Sequence, residues 1–344
     1  MTRRDAGTLA GLVLLLVGVV ILATALGTAN VPPLRAMRIL WDVLTGNEGD
    51  YPAWQRTVLV WVRLPRVLTA ALVGGGLALT GAVMQAIFRN PMAEPGIIGV
   101  SAGAAFGAVT ALYLGATTFS MLLAPTGAFI GALGCTFVVY VLASSGRGRL
   151  SVTTLLLSGV AVGSIVSALT SFVLALSLRQ WEVGRQMLSW LMGDFEGRSW
   201  GHVALVFPLT LVGSVWLALH GRELNLLLTG EESALSLGID VPALRRNLIV
   251  WASLVTAAAV SAVGAIGFVG LIVPHLLRLV MGPDNRRLLP AAFLGGAAFL
   301  VVADMVCRLA SLSDLRPGVV TSLVGGPFFL YLLIRSRRTW AATV

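Results

Sequence analysis

Run length constrains this chain more than any other feature. Ten stretches of the 344 residues stay apolar long enough to pass as helices through a bilayer. A hydrocarbon core of about 30 Å takes roughly 20 residues of helix. The stretches cover about 8–29, 58–88, 94–114, 118–143, 151–178, 199–219, 243–267, 268–281, 287–310 and 316–335. The second is too long for one straight crossing and must tilt or extend beyond the membrane. The eighth is too short. It joins the seventh through GAIGFVGLIVPH (264–275), whose three Gly and Pro274 predict a helix break at or near one membrane face. Backbone polar groups in lipid must find partners within the chain. The expected fold is therefore an all-α membrane protein: one polytopic bundle of about ten transmembrane helices, spanning residues 1–344 as a single domain.

Charge is scarce, at 11% of residues, against about 25% in soluble domains. Disorder and a soluble α/β enzyme are excluded. The net charge is +9, and all 24 basic residues are Arg. Without Lys there is no GxxxxGK[ST] phosphate loop, so the chain does not hydrolyse nucleotide by that route. The Arg are spread singly and in pairs, so a nucleic-acid partner is not expected. Membrane orientation accounts for them better. An even number of crossings puts both termini on one side. Arg3, Arg4, Arg335, Arg337 and Arg338, with the short RGR loop at 147–149, make that side cytoplasmic.

Cys135 and Cys307 lie in apolar runs and read as packing residues. His202, His220 and His275 have no second ligand at metal spacing. No metal and no cofactor is expected. The apolar run at 9–26 is longer than the roughly 7–15 residues of a signal-peptide core, and reads as a retained first helix. Small residues four apart (Gly99, Gly103, Gly107; Gly127, Gly131; Gly159, Gly163) predict close helix approach. The longest exterior loops fall at about 30–57 and 179–198.

Three stretches stand out. In HGRELNLLLTGEESALSLGID (220–240), Thr229, Gly230, Glu231 and Glu232 fit a capping box. Glu231 and Glu232 suit the helix dipole, and Gly238 suits a left-handed C-cap. The stretch reads as a solvated interhelical loop, or as a short capped helix with Ala234, Leu235 and Leu237 for docking. Residues 221–228, with Arg222, Glu223 and Leu224, add one or two amphipathic turns before it. In FRNPMAEPGIIGVSAGAAFG (88–107), Pro91 and Pro95 bracket a polar turn with Asn90, Glu94 and Gly96. That turn is a structural corner or a hinge. Gly267, Gly270 and Pro274 form the matching break later on. In WVRLPRVL (61–68), Arg63 and Arg66 lie at the outer edge of their span, with Arg308 at the outer end of the ninth. They either snorkel to lipid headgroups or form a basic collar for an acidic partner.

Five segments resemble the FecCD family of permease subunits of type II ABC importers, in its order and spacing over nearly the whole chain. They are RLPR (63–66), GAVMQAIFRNPMAEPGIIGVSAGA (81–104), TGEESALSLGI (229–239), GAIGFVGLIVPHLLRLVMGPDNRRLLP (264–290) and RPGVVTSLVGGPFFLYLL (316–333). The resemblance implies a permease dimer in the bacterial cytoplasmic (inner) membrane, with the path at the dimer interface. Two ATPase subunits on the cytoplasmic side and an extracytoplasmic substrate-binding protein are the implied partners. The 221–238 stretch matches the family's ATPase-coupling helices. Arg63 and Arg66, and by a looser pattern Arg308, match the residues that meet the binding protein. Arg316 departs from the aliphatic or small residue common before the final PxGVVT motif. Ferric siderophore is the leading cargo, with haem and then cobalamin as alternatives. The helices around 151–178 and 316–335 are the expected path. An ion-coupled secondary transporter would need buried acids at mid-membrane. Asp304 is the nearest candidate, but it lies four residues from Arg308, within ion-pair reach on a helix.

Overall fold

The computed structural model describes residues 3–27, 31–47, 49–144, 152–177, 180–310 and 315–341. Its helices are α1 (Arg3–Ala25), α2 (Pro33–Thr45), α3 (Ala53–Thr57), α4 (Leu64–Ile87), α5 (Val100–Tyr113), α6 (Leu123–Ser144), α7 (Val152–Ser177) and α8 (Trp181–Leu191). They continue with α9 (Trp200–Leu219), α10 (Gly221–Thr229), α11 (Glu231–Ser236), α12 (Val241–Val263), α13 (Val269–Met281), α14 (Asn285–Leu309) and α15 (Pro317–Ala341). Eight helical runs are long and apolar enough to cross a membrane, and α5 and α13 are shorter apolar helices. Together they account for the ten apolar stretches. The expected all-α bundle is the observed one.

The overlong second stretch is a single 35-residue run, Ala53–Ile87. A π-helical segment at Val58–Arg63 joins α3 to α4, and Leu64 N donates to Leu59 O. It directly precedes Pro65, whose missing N–H frees a carbonyl in the preceding turn.

The core sits around α4. Its sequence is rich in Gly, Ala and Thr, and it packs against α14, α12, α13 and α9. A Cβ on Gly74 would stand 2.3 Å from the Gly296 carbonyl oxygen, so α4 and α14 meet backbone to backbone. The same holds for Gly107 of α5 against Gly127 of α6, at 2.0 Å. In lipid, where apolar surface is not expelled, such close approach supplies the dispersion contacts that hold helices together.

Both stretches expected as exterior loops contain a helix. Within 30–57, α2 buries Ala36, Ile39 and Asp42 and exposes Leu34, Met37, Trp41 and Leu44. Within 179–198, α8 buries Gly184, Met187 and Trp190. These helices are short and amphipathic, so a search for long apolar runs passes over them. The RGR loop at 147–149 and the side chains of Arg3, Arg4, Arg335, Arg337 and Arg338 lie outside the described residues.

The break between α12 and α13 exists, and α12 ends beside Trp190 and Asp194. At 13 residues, α13 is only about 20 Å long. Its Gly270 rests on Gly81, six residues before the end of α4. The N-terminus of α13 therefore lies inside the bundle.

Candidate coupling face and translocation corner

The 220–240 stretch forms two helices, α10 and α11, joined at Gly230 (φ 131°, ψ 149°). The expected capping box is absent. Thr229 ends α10, and its hydroxyl donates to Leu226 O. Glu231 turns instead to α12, accepting from Arg245 Nη2 at 2.6 Å. With Thr229 inside α10, the residue that caps α11 is Gly230, which has no side chain to accept from the first turn. The C-cap is as expected. Gly238 has φ +82°, its N–H reaches Leu235 O, and Ile239 N–H reaches Ala234 O, a Schellman motif.

Burial divides the coupling residues into two sets. Leu224 and Ala234 face inward and are fully buried. Arg222, Glu231, Glu232, Leu237 and Gly238 are exposed, and Glu223 is partly so. Leu235 and Leu237, 55% and 64% exposed, are apolar side chains on an otherwise polar surface.

Directed polar bonds fix α10 to the start of α14 and the end of α4, and α14 in turn to α1. Asn225 Nδ2 donates to Asp284 Oδ1 at 2.6 Å, and Asn225 Oδ1 accepts from Asn285 N at 2.8 Å. Arg89, just past α4, donates to Leu227 O at 2.6 Å. Arg287 pairs with Asp5 of α1 at 2.5 Å. Hydrogen bonding from Arg286, with help from Asn225, lowers the Asp284 pKa to about 2. The anchor therefore stays ionised across physiological pH.

The second constellation is deeper. After α4 the chain turns at Asn90, whose Oδ1 accepts from Met92 N. It then re-enters the bundle, and Pro95 starts a 3₁₀ turn at Pro95–Ile98. There Glu94 Oε1 accepts from Phe268 N at 2.7 Å, next to Gly267 and at the N-terminus of α13. A carboxylate complements the partial positive charge of that helix end. Phe268 itself has φ +67°, unusual for a non-Gly residue. Its side chain lies on Gly325 of α15, where an added Cβ would come within 2.1 Å of Phe268 Cγ. Gln85 Nε2 donates to Gly270 O at 3.1 Å. Thus Glu94, Pro95, Gly267 and Gly270 come together. Asn90 and Pro91 lie at the turn below them, Gly96 sits against Ser101, and Pro274 is buried within α13.

At the opposite end of the bundle, the three candidate docking arginines are engaged internally. Arg63 is 5% exposed and donates to Thr24 O and Ala25 O. Arg66 holds Asp304 through Nε and Nη2, at 3.0 and 2.7 Å to Oδ1. Arg308 reaches Asp304 at 3.1 Å and donates to Leu26 O and Ala23 O. These side chains clamp α1 to α4 and α14. Arg316, the departure from the family pattern, is paired by Asp194 and Glu196 at 2.5 and 2.8 Å. Sequence reasoning missed both acids. They lie more than 100 residues from Arg316, and no periodicity links such positions. Among the described residues, no group of three or more His, Cys, Asp or Glu could hold a metal ion.

A polytopic bundle with a paired-helix platform at one end and a re-entrant corner in its interior is the architecture of a membrane transport permease. The chain belongs to the FecCD transport family, whose model matches residues 14–335. It is 47% identical over 306 residues to the cobalamin import system permease protein BtuC of Halobacterium salinarum, covering 88% of this chain and 81% of that one. It is 39% identical to the hemin transport system permease protein HmuU of Yersinia pestis, covering 93% and 94%. A solved metal-chelate type ABC transporter in an inward-facing conformation superposes with a TM-score of 0.83 at 33% identity, covering 95% and 98%. The chain is thus an ABC importer permease, of a family that works with an ATPase and a substrate-binding protein.

Proposed function

We propose that this chain, as a homodimer in the cytoplasmic membrane, moves a corrinoid of the cobalamin type into the cell. The 47% identity to a cobalamin import permease carries this reading of the cargo. Haem comes second, on the 39% relative. The ferric siderophore that leads on family resemblance comes third, because the two relatives compared are named for cobalamin and hemin. Both termini and the α10–α11 platform face the cytoplasm, where two ATPase subunits seat on Arg222, Glu232, Leu235 and Leu237.

The residues suggest how the work is divided. ATP-driven closure of the ATPases displaces α10 and α11. The Asn225–Asp284 and Arg89–Leu227 bonds carry that displacement to α14 and α4. At the corner, α13 and the 94–99 turn shift together against α15, because Glu94 ties them. The path then opens or closes by relative motion of stiff elements. On the outer side, acidic residues of the binding protein approach the cluster of Arg63, Arg66, Arg308 and Asp304, whose three arginines exceed its one carboxylate.

The test is uptake of labelled cyanocobalamin by proteoliposomes containing the permease, its ATPase and its binding protein, with hemin and a ferric siderophore as competitors. ATP-dependent accumulation of cobalamin, not displaced by the other two, is expected. Uptake of hemin or siderophore without cobalamin would overturn the cargo and leave the permease intact.

A further inference from the structure

We propose that a cavity beside α10 is a phosphate-binding site, occupied by the headgroup of an anionic phospholipid. The cavity has a volume of about 300 Å³ and lies among the end of α4, the end of α13 and the start of α14. Its polar lining is Gln85, Arg89, Asn90, Arg278 and Asn285. No carboxylate lines it. Neither Arg89 nor Arg278 has an ion pair among the described residues, whereas Arg66, Arg245, Arg287 and Arg316 each hold an Asp or Glu.

Their existing bonds leave capacity unused. Arg89 spends one Nη on Leu227 O, and Arg278 spends one on Gln85 Oε1 at 3.0 Å. A guanidinium has five N–H donors. Asn285 is 1% exposed, and its Nδ2 is buried with no hydrogen-bond partner. A buried orphan donor costs free energy until an acceptor reaches it. Two guanidiniums and an unpartnered amide around one cavity call for a ligand that is anionic and accepts from several sides. A phosphate group does both, and suits Arg through paired N–H···O bonds. Asp284, next to Asn285 in sequence, is already held by Asn225, Arg286 and Arg287.

The surroundings favour a lipid as the source of that phosphate. Arg278 lies in the last turn of an apolar helix. Leu276, Leu279 and Val280 leave that helix exposed as an apolar strip, and Leu228 at the cavity rim is 40% exposed. Acyl chains can lie along the strip while the headgroup enters the cavity. Free phosphate would use the same donors and gain nothing from the strip.

The experiment is a thermal melt of the purified full-length permease, read by tryptophan fluorescence at fixed ionic strength. Micelles containing phosphatidylglycerol, micelles containing phosphatidylcholine, and inorganic phosphate with phosphatidylcholine are compared. Phosphatidylglycerol is expected to raise Tm by about 3 °C or more over phosphatidylcholine. The increment should vanish in Arg278→Gln and in Arg89→Gln. A rise with inorganic phosphate alone would keep the site and assign it a free anion. Equal Tm in all three conditions would overturn the proposal, and needs only the wild-type protein. An increment that survives both substitutions would overturn it too, by placing the lipid elsewhere.

Discussion

Asp304 concentrates the electrostatics of the end of the bundle opposite α10. Its side chain is 1% exposed, yet Arg66 and Arg308 both bind it, and Arg63 stands nearby on the carbonyls that end α1. A carboxylate in that position is what lets several guanidiniums remain buried together. Asp304→Asn keeps the shape and removes the charge. Breaking a buried pair by removing one partner costs roughly 3–5 kcal/mol. Asp304→Asn should therefore melt well below the wild type when the purified permease is heated, and Arg66→Gln should fall less because its partner keeps Arg308. An Asp304→Asn protein melting with the wild type would mean that the carbonyl contacts of Arg63 and Arg308 hold the cluster alone. Half of this site was legible in the sequence. The spacing of Asp304 and Arg308 announces a helical ion pair. The bond to Arg66 spans 238 residues, and Arg63 binds backbone rather than a side chain. No local pattern encodes either contact. The same limit holds for all three arginines: position at a span's edge was readable, and their internal partners were not.

At the scale of elements, legibility followed length. Apolar runs near 20 residues could hardly be anything but membrane helices, and all ten appear as apolar helices. The amphipathic α2 and α8 were missed because their apolar faces are interrupted every few residues by polar ones. The coupling stretch falls between these cases. Its Gly238 cap was readable because left-handed backbone selects glycine. Its N-terminal box was not, because α10 runs on through Thr229 and leaves Gly230 to start α11, while Glu231 pairs with Arg245 on another helix. That pairing sharpens what charge reversal should do. Glu231→Arg with Glu232→Arg sets like charges against Arg245 and also alters the exposed surface. Glu232→Arg alone alters only the surface, since Glu232 makes no ion pair among the described residues. Reconstituted transport should be uncoupled in both, with ATP hydrolysis continuing while uptake falls severalfold and membrane insertion stays normal. If Glu232→Arg takes up cargo at the wild-type rate and only the double variant fails, α11 acts as a brace for α12, and the ATPase seats elsewhere.

For the whole molecule, the question is how movement at the α10 platform could reach the helices expected to line the path. The corner offers the shortest connection. Gln85 ties α4 to the first turn of α13, Glu94 ties the 94–99 turn to Phe268, and the Phe268 ring seats on Gly325 of α15. A left-handed Phe is worth keeping only if surrounding contacts hold it, since such backbone strain costs about 1–3 kcal/mol. Glycine at 325 is then a matter of fit between two elements that must touch in this conformation. A methyl there would meet Phe268 Cβ at 2.3 Å, and Cβ cannot swing aside as a ring can. At Gly326 the same methyl would meet nothing within 4 Å. The two positions are neighbours in one helix, so substitution by Ala raises helix propensity similarly at both. Gly325→Ala should push α15 off α13 and bias the protein away from this conformation. Spin labels on the two helices should report a longer mean distance, and uptake should fall. Gly326→Ala should change neither. Matching behaviour of the two variants would show that α15 responds to helix stiffness and not to its contact with Phe268, and would remove the corner from the route between platform and path.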